Sequence, residues 1–193
     1  MPLDFLVVFG SVRRDRRGIG LARYLVGAIQ ARGHTASLVD PMETTLPLLD
    51  RMYKEYPKGE APEVLERLAG QIRAADGLVV VSAEYNHSIP PALSNLLDHF
   101  LEEFFWKPSA IACYSAGPFG GVRAAMQLRA MLGELGTPSI PSLFSVPKVQ
   151  DAYDADGTTK DPARSEKQVA KFLGELEWYA SALKAARVQG VPY

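Results

Sequence analysis

The segment Phe5-Leu6-Val7-Val8-Phe9-Gly10-Ser11-Val12-Arg13-Arg14-Asp15-Arg16-Arg17-Gly18-Ile19 carries three physical signals in succession. The continuous apolar run Phe5 to Phe9 is rich in β-formers and suits a strand buried on both faces. Gly10 and Ser11 then open a turn with four arginines at positions 13 to 17. From Ile19 the apolar residues Ile19, Ala22, Leu25, Val26 and Ile29 recur by three and four, the spacing of a helix. A strand, a cationic turn and a helix in that order make the opening of a βα unit with an anion-friendly loop at the strand's carboxyl end.

The same alternation continues. Strand-like runs fall at Thr35 to Val39, Leu78 to Val81, Ser109 to Tyr114 and Ile140 to Val146. Helical stripes lie between and after them: Val64 or Leu65, Leu68 and Ile72; Leu93, Leu96, Leu97 and Phe100; Ala125, Leu128, Leu132 and Leu135, closed by Gly136 and Pro138; and Val169 to Leu183, opened by Asp161-Pro162. Five strands joined by helical crossovers predict a parallel sheet with helices on both faces, a three-layer α/β sandwich of the flavodoxin-like order 2-1-3-4-5. In such a sheet ligands bind beyond the strand carboxyl ends at the switch point between strands 1 and 3. Pro41 to Pro62 and Pro147 to Pro162 read as long loops rather than linkers, so residues 1–193 are expected to form one domain.

Composition narrows the function classes. A formal net charge of −1 offers nucleic acid no general attraction, so an anion site has to be local. The start Met1-Pro-Leu-Asp4 lacks the basic region of a signal peptide and no apolar stretch is long enough to span a bilayer, which leads us to expect a cytoplasmic protein without membrane residence. The single cysteine, Cys113, lies in an apolar run and reads as an inert strand residue. His34, His87 and His99 are scattered without metal-ligand spacing, so no metal site is expected. Glu102-Glu103 reads as a solvated or interface face rather than a catalytic pair.

Three loops carry the candidate chemistry. In the first, a hydroxyl, glycines and a helix start with unsatisfied amides fit a phosphate, while GxxxxGK[ST] and GxGxxG are both absent. The competing reading is a solvated basic turn. The second, Ser82 to Pro91, brings polar groups and Tyr85 to a proline-started helix; backbone amides and Asn86 suit the edge of a planar heterocycle, with Tyr85 against its face. Its plainer alternatives are Tyr85 in packing, Ser88 as an N-cap and His87 as an exposed loop residue. The third, Ser115 to Gly121, is small enough for close backbone approach.

Together these segments resemble the NADPH-dependent FMN reductase family, which includes quinone, chromate and azo-dye reductases. The family's GSxR loop appears as Gly10-Ser11-Val12-Arg13, its P-E-Y-N-x-S-x-P loop as Ala83-Glu84-Tyr85-Asn86-His87-Ser88-Ile89-Pro90, and its glycine turn as Ser115 to Gly121. The resemblance implies that Ser11, Arg13, Arg16 and the backbone near Gly18 hold the FMN phosphate. It further implies that Ala83, Glu84, Tyr85, Asn86 and His87 border the isoalloxazine ring, and that Ser115 and Gly117 line its other edge. NADPH or NADH would be the donor, a small molecule the electron acceptor, and a homodimer or homotetramer the assembly. Three positions depart from the family pattern: Ala83 for the common Pro, Ser94 for the common Lys of the L-K-N-x-x-D helix that follows the second loop, here Leu93 to Asp98, and Arg16 for a frequent Ser. The flavin carries the electron chemistry, so no catalytic acid or base is assigned. A non-catalytic FMN carrier or redox sensor is the alternative, and a flavin-free phosphate-sugar module fits the first loop alone.

Overall fold

The computed structural model describes residues 1–193. The strands β1 (Asp4–Phe9), β2 (Thr35–Val39), β3 (Gly77–Ala83), β4 (Ser109–Tyr114) and β5 (Ser139–Val146) alternate with the helices α1 (Ile19–Ala31), α2 (Glu63–Ala74), α3 (Pro91–Asp98), α4 (Val122–Glu134) and α5 (Pro162–Gln189). All pairings are parallel, in the order β2-β1-β3-β4-β5, as the alternation of the sequence predicts.

Successive residues of the central strands feed different cores, the consequence of a side-chain period of two. Phe5, Val7, Phe9, Val79, Val81 and Ala112 pack with α1 and α5 on one face. Leu6, Val8, Leu78, Val80, Ile111 and Cys113 pack with α2, α3 and α4 on the other. Each fully buried large apolar side chain, such as Phe5, Phe9 or Phe144, contributes about 1.5–3 kcal/mol. Cys113 is enclosed in this packing, and burial pushes its thiol up to about 11, so it stays a protonated core residue at neutral pH.

The long β2–α2 loop is tied to α3 by Asn95, whose Oδ1 accepts from the Leu49 amide at 2.9 Å and whose Nδ2 donates to Pro47 O at 2.8 Å. Two expectations need correction. α3 stops at Asp98, leaving Phe100 fully buried just past the helix rather than within its stripe. Glu103 is not solvated: it is 4% exposed, paired with Arg73 at 2.8 Å, and its other oxygen accepts the Leu101 amide, because the chain makes a tight turn there.

Candidate functional site

Backbone hydrogen bonds carry three loops past the carboxyl edge of the sheet. Gly10 N donates to Val81 O at 3.0 Å, Glu84 N to Tyr114 O at 3.2 Å, and Ser115 N to Val146 O at 3.2 Å, so each loop leaves its strand alongside the next. Beyond Gly10, the amides of Val12, Arg14, Asp15, Arg17 and Gly18 meet no acceptor within the chain. The N-cap position of α1 is Gly18, which supplies no side-chain cap, and the first turn holds no acidic residue. Unpaired donors at the positive end of a helix dipole favour an anion.

The four arginines of this loop diverge. Arg13, Arg14 and Arg17 are exposed, and the Arg13 guanidinium lies 5.9 Å from the centroid of the Tyr85 ring. Arg16 is half-buried, crosses the face of Phe9 and forms an ion pair with Asp40, a residue 2% exposed just past the end of β2. Asp40 also accepts the Met42 amide at 3.0 Å. The charge of Arg16 is therefore matched inside the protein. Ser11 is buried, and its Oγ shares a 2.7 Å hydrogen bond with Tyr85 Oη, joining the first loop to the second.

The second loop is a tight hairpin. Tyr85 and Ser88 exchange backbone hydrogen bonds of 3.0 and 2.9 Å, while Asn86 (φ 52°) and His87 (φ 63°) both occupy the left-handed region. Two positive φ angles in succession define a type I′ turn, and Asn and His enter that region more readily than bulky or branched residues. Gln127 of α4 clamps the turn, donating to His87 O at 2.8 Å and accepting from Ser88 Oγ at 2.7 Å. Ser88 is thus a clamp partner and not the N-cap of α3, a position that Pro90 occupies without a side-chain cap. The amides of Asn86 and His87 stay without an internal acceptor. Glu84 turns toward α4, where its carboxylate accepts the amides of Arg123 at 3.0 Å and Ala124 at 3.3 Å. It caps that helix from a distance, because the residue in the N-cap position, Gly121, has no side chain to do so.

The third loop is held by the Gly117 carbonyl, which accepts from Ser115 Oγ at 3.0 Å and from Lys148 N at 3.1 Å. Gly121 adopts φ 81°, and a Cβ there would stand 2.7 Å from the backbone of Tyr114, so only glycine fits.

The loops enclose a cleft of about 130 Å³. Of the residues singled out from sequence, Ser11, Arg13, Arg16, Ala83, Glu84, Tyr85 and Ser115 line it. Gly18 lies behind the Tyr114 ring, Asn86 and His87 lie beyond the lining, and Gly117 braces the third loop. Sequence reasoning missed Tyr114, Val149 and Gln150 in the lining, and Asp40 behind Arg16. Tyr114 ends an apolar strand and so reads as core; Val149 and Gln150 come from the loop after β5. Larger hollows of about 300 and 650 Å³ border α5. In the first of these, Asp161 caps α5 and the Ser165 hydroxyl bonds those of Tyr153 and Thr159. No group of three or more His, Cys, Asp or Glu side chains converges as a metal site would require, and no helix is long and apolar enough to cross a membrane.

The family model for NADPH-dependent FMN reductases matches residues 3–151, a span that contains all three loops. The chain belongs to this family. Membership makes it an oxidoreductase, with FMN and NAD(P)H the cofactors of the family. It is 37% identical to an NAD(P)H-dependent FMN reductase of Pseudomonas aeruginosa over 128 residues, 64% of this chain and 69% of that protein. It is 32% identical to a 2-hydroxy-1,4-benzoquinone reductase of Burkholderia sp. over 198 aligned positions, covering 97% of this chain and all of that one. Among solved structures, the flavoenzyme NAD(P)H:(acceptor) oxidoreductase FerB of Paracoccus denitrificans superposes with a TM-score of 0.73 at 24% identity, over 93% of this chain and 98% of that one, a likeness of fold.

Proposed function

We propose that the cleft receives the phosphate end of FMN and that the protein passes electrons from NAD(P)H through FMN to a small oxidised acceptor, a quinone, flavin, azo compound or metal ion. The observation that carries this reading is one narrow cleft that brings together the first loop, which leaves amides without internal acceptors ahead of an uncapped α1, and Tyr85 at the base of the type I′ turn. Ser11, Arg13 and the amides up to Gly18 bind the phosphate. Arg16 shapes the loop through Asp40 and adds positive potential from behind.

The enclosed volume suits a phosphate and the start of its sugar-alcohol chain, and is well below the roughly 300 Å³ at which ligand pockets begin. A tricyclic ring therefore rests outside it, on the shelf between the free amides of Asn86 and His87 and the turn at Ser115 to Gly117. Ala83, Glu84 and Tyr85 support that shelf, with the Glu84 carboxylate fixing its distance from α4. Bound FMN would supply hydride acceptance and electron transfer itself. The protein's part is to orient the ring and leave one face open to a stacked partner. In a homodimer or homotetramer that open face lies toward the subunit boundary.

Equilibrium titration of the ligand-free protein with FMN, FAD and riboflavin tests the reading. The expected result is one FMN per chain with FMN preferred over FAD, since a single phosphate cradle is present. Preference for FAD, or no flavin binding, would overturn it.

A further inference from the structure

Tyr114 closes the floor of the cleft. It is 5% exposed, its ring stacks on Phe9 at 6.3 Å between centroids, and its hydroxyl is buried without a hydrogen-bond partner. A buried hydroxyl without a partner is unfavourable, so one that lies beside a ligand-sized cleft calls for an explanation. The position narrows that use. A Cβ on Gly18 would stand 2.1 Å from Tyr114 Cζ and 2.5 Å from Oη, so the phenol lies against the residue that begins α1. The nearby hydroxyl of Ser11 is committed to Tyr85. Burial first and then the Tyr85 phenol push the Tyr114 phenol well above its ordinary range, with the Ser11 hydroxyl, Arg16 and Arg13 opposing the shift, so it remains an O–H donor at every physiological pH.

We infer that Tyr114 is an additional phosphate-binding residue, whose Oη donates to a phosphate oxygen of the ligand held at the start of α1. This deepens the proposed function and rests on it. Gly18 has a corresponding role: it leaves room for the ring, so the helix start and the phenol present donors to one point. A neutral phenol suits this place because it adds a donor without adding charge to a loop already carrying four arginines.

The test compares Tyr114→Phe with the wild type in titrations against FMN and against riboflavin, which has the same ring and no phosphate. The expected result is FMN binding weakened at least about 10-fold, the scale of a lost hydrogen bond to an anion, with riboflavin binding unchanged within about twofold. The ligand-free variant should melt at the wild-type temperature or above it, because the deleted oxygen has no partner to lose. Protection of the ligand-free protein by inorganic phosphate should fall in the same variant. Equal FMN affinity in both proteins would overturn the inference, as would equal losses for FMN and riboflavin, which mark a structural role. A wild type that binds neither flavin defeats the flavin reading itself, and phosphate protection that still depends on Tyr114 would then separate the two.

Discussion

At the residue scale, the arginines of the first loop separate by environment. Arg13 lines the cleft and Arg14 does not. Arg13→Ala is expected to weaken FMN binding by about 1.5–3 kcal/mol, the range for a hydrogen bond to a charged group, and Arg14→Ala to leave it unchanged. Equal losses in calorimetry would mean that the loop acts only as a diffuse basic turn. Arg16→Ala should act through stability instead. It strands Asp40, 2% exposed, with the Met42 amide as its remaining partner, at a cost of about 2 kcal/mol once the partial exposure of Arg16 is allowed for. Urea melts of ligand-free protein distinguish this from Arg13→Ala, which should melt as wild type.

Lys107 offers a pH-dependent signature remote from the cleft. It is 6% exposed, its Nζ donates to the carbonyls of Ile72, Arg73 and Glu103, and its pKa is lowered to about 8, first by burial and then by Arg187. An unfolded lysine keeps its proton to about 10.4, so between the two values the unfolded chain holds more protons and stability rises with pH. Below pH 8 both states are protonated and this contribution is flat. From pH 8 to 10 the wild type should gain roughly 2 kcal/mol relative to Lys107→Met, given a folded pKa of about 8. A difference that stays constant over that window in urea midpoints would refute the assignment.

At the scale of elements, Glu84 connects the ring shelf to α4. Glu84→Ala removes the only side-chain acceptor for the amides of Arg123 and Ala124, and should cost about 1–2 kcal/mol of stability in ligand-free protein. FMN binding should weaken with it, because the shelf and the helix lose their common anchor. Retained FMN affinity beside a lowered melting temperature would show that the shelf is set by the Gln127 clamp alone.

The five strands and their order were legible in the sequence because period-two and period-3.6 apolar patterns and Pro-Gly punctuation are local signals. The start of α5 was equally legible: Asp161 accepts the Arg164 amide as its N-cap and Pro162 follows it. The site was legible as three loops but not as side-chain partnerships. Glu84 and Arg16 look like ligand contacts in one dimension; their turns toward α4 and Asp40 follow from which helix start lacks a cap and which carboxylate is buried. Tyr114 shows the reverse case. Its apolar neighbours make it look like core, and only the folded chain shows that Tyr114 lines the cleft and that its ring packs against Gly18.

At the scale of the whole molecule, the sheet order sends the cationic loop, the type I′ turn and the glycine turn to one edge, where on the proposed reading a cleft of about 130 Å³ would leave most of a planar ring uncovered. Donor and acceptor then compete for the same open face, and initial velocities measured against NAD(P)H at several fixed quinone concentrations should give parallel double-reciprocal lines. Intersecting lines would show both bound at once. We expect this edge to act as the redox site of an FMN reductase rather than as the resting place of a carrier's flavin. Anaerobic rapid mixing of FMN-loaded protein with NAD(P)H tests it most directly. The flavin colour should be lost on mixing and return when a quinone is added; flavin that stays bound and coloured in excess NADH and NADPH would refute the redox role.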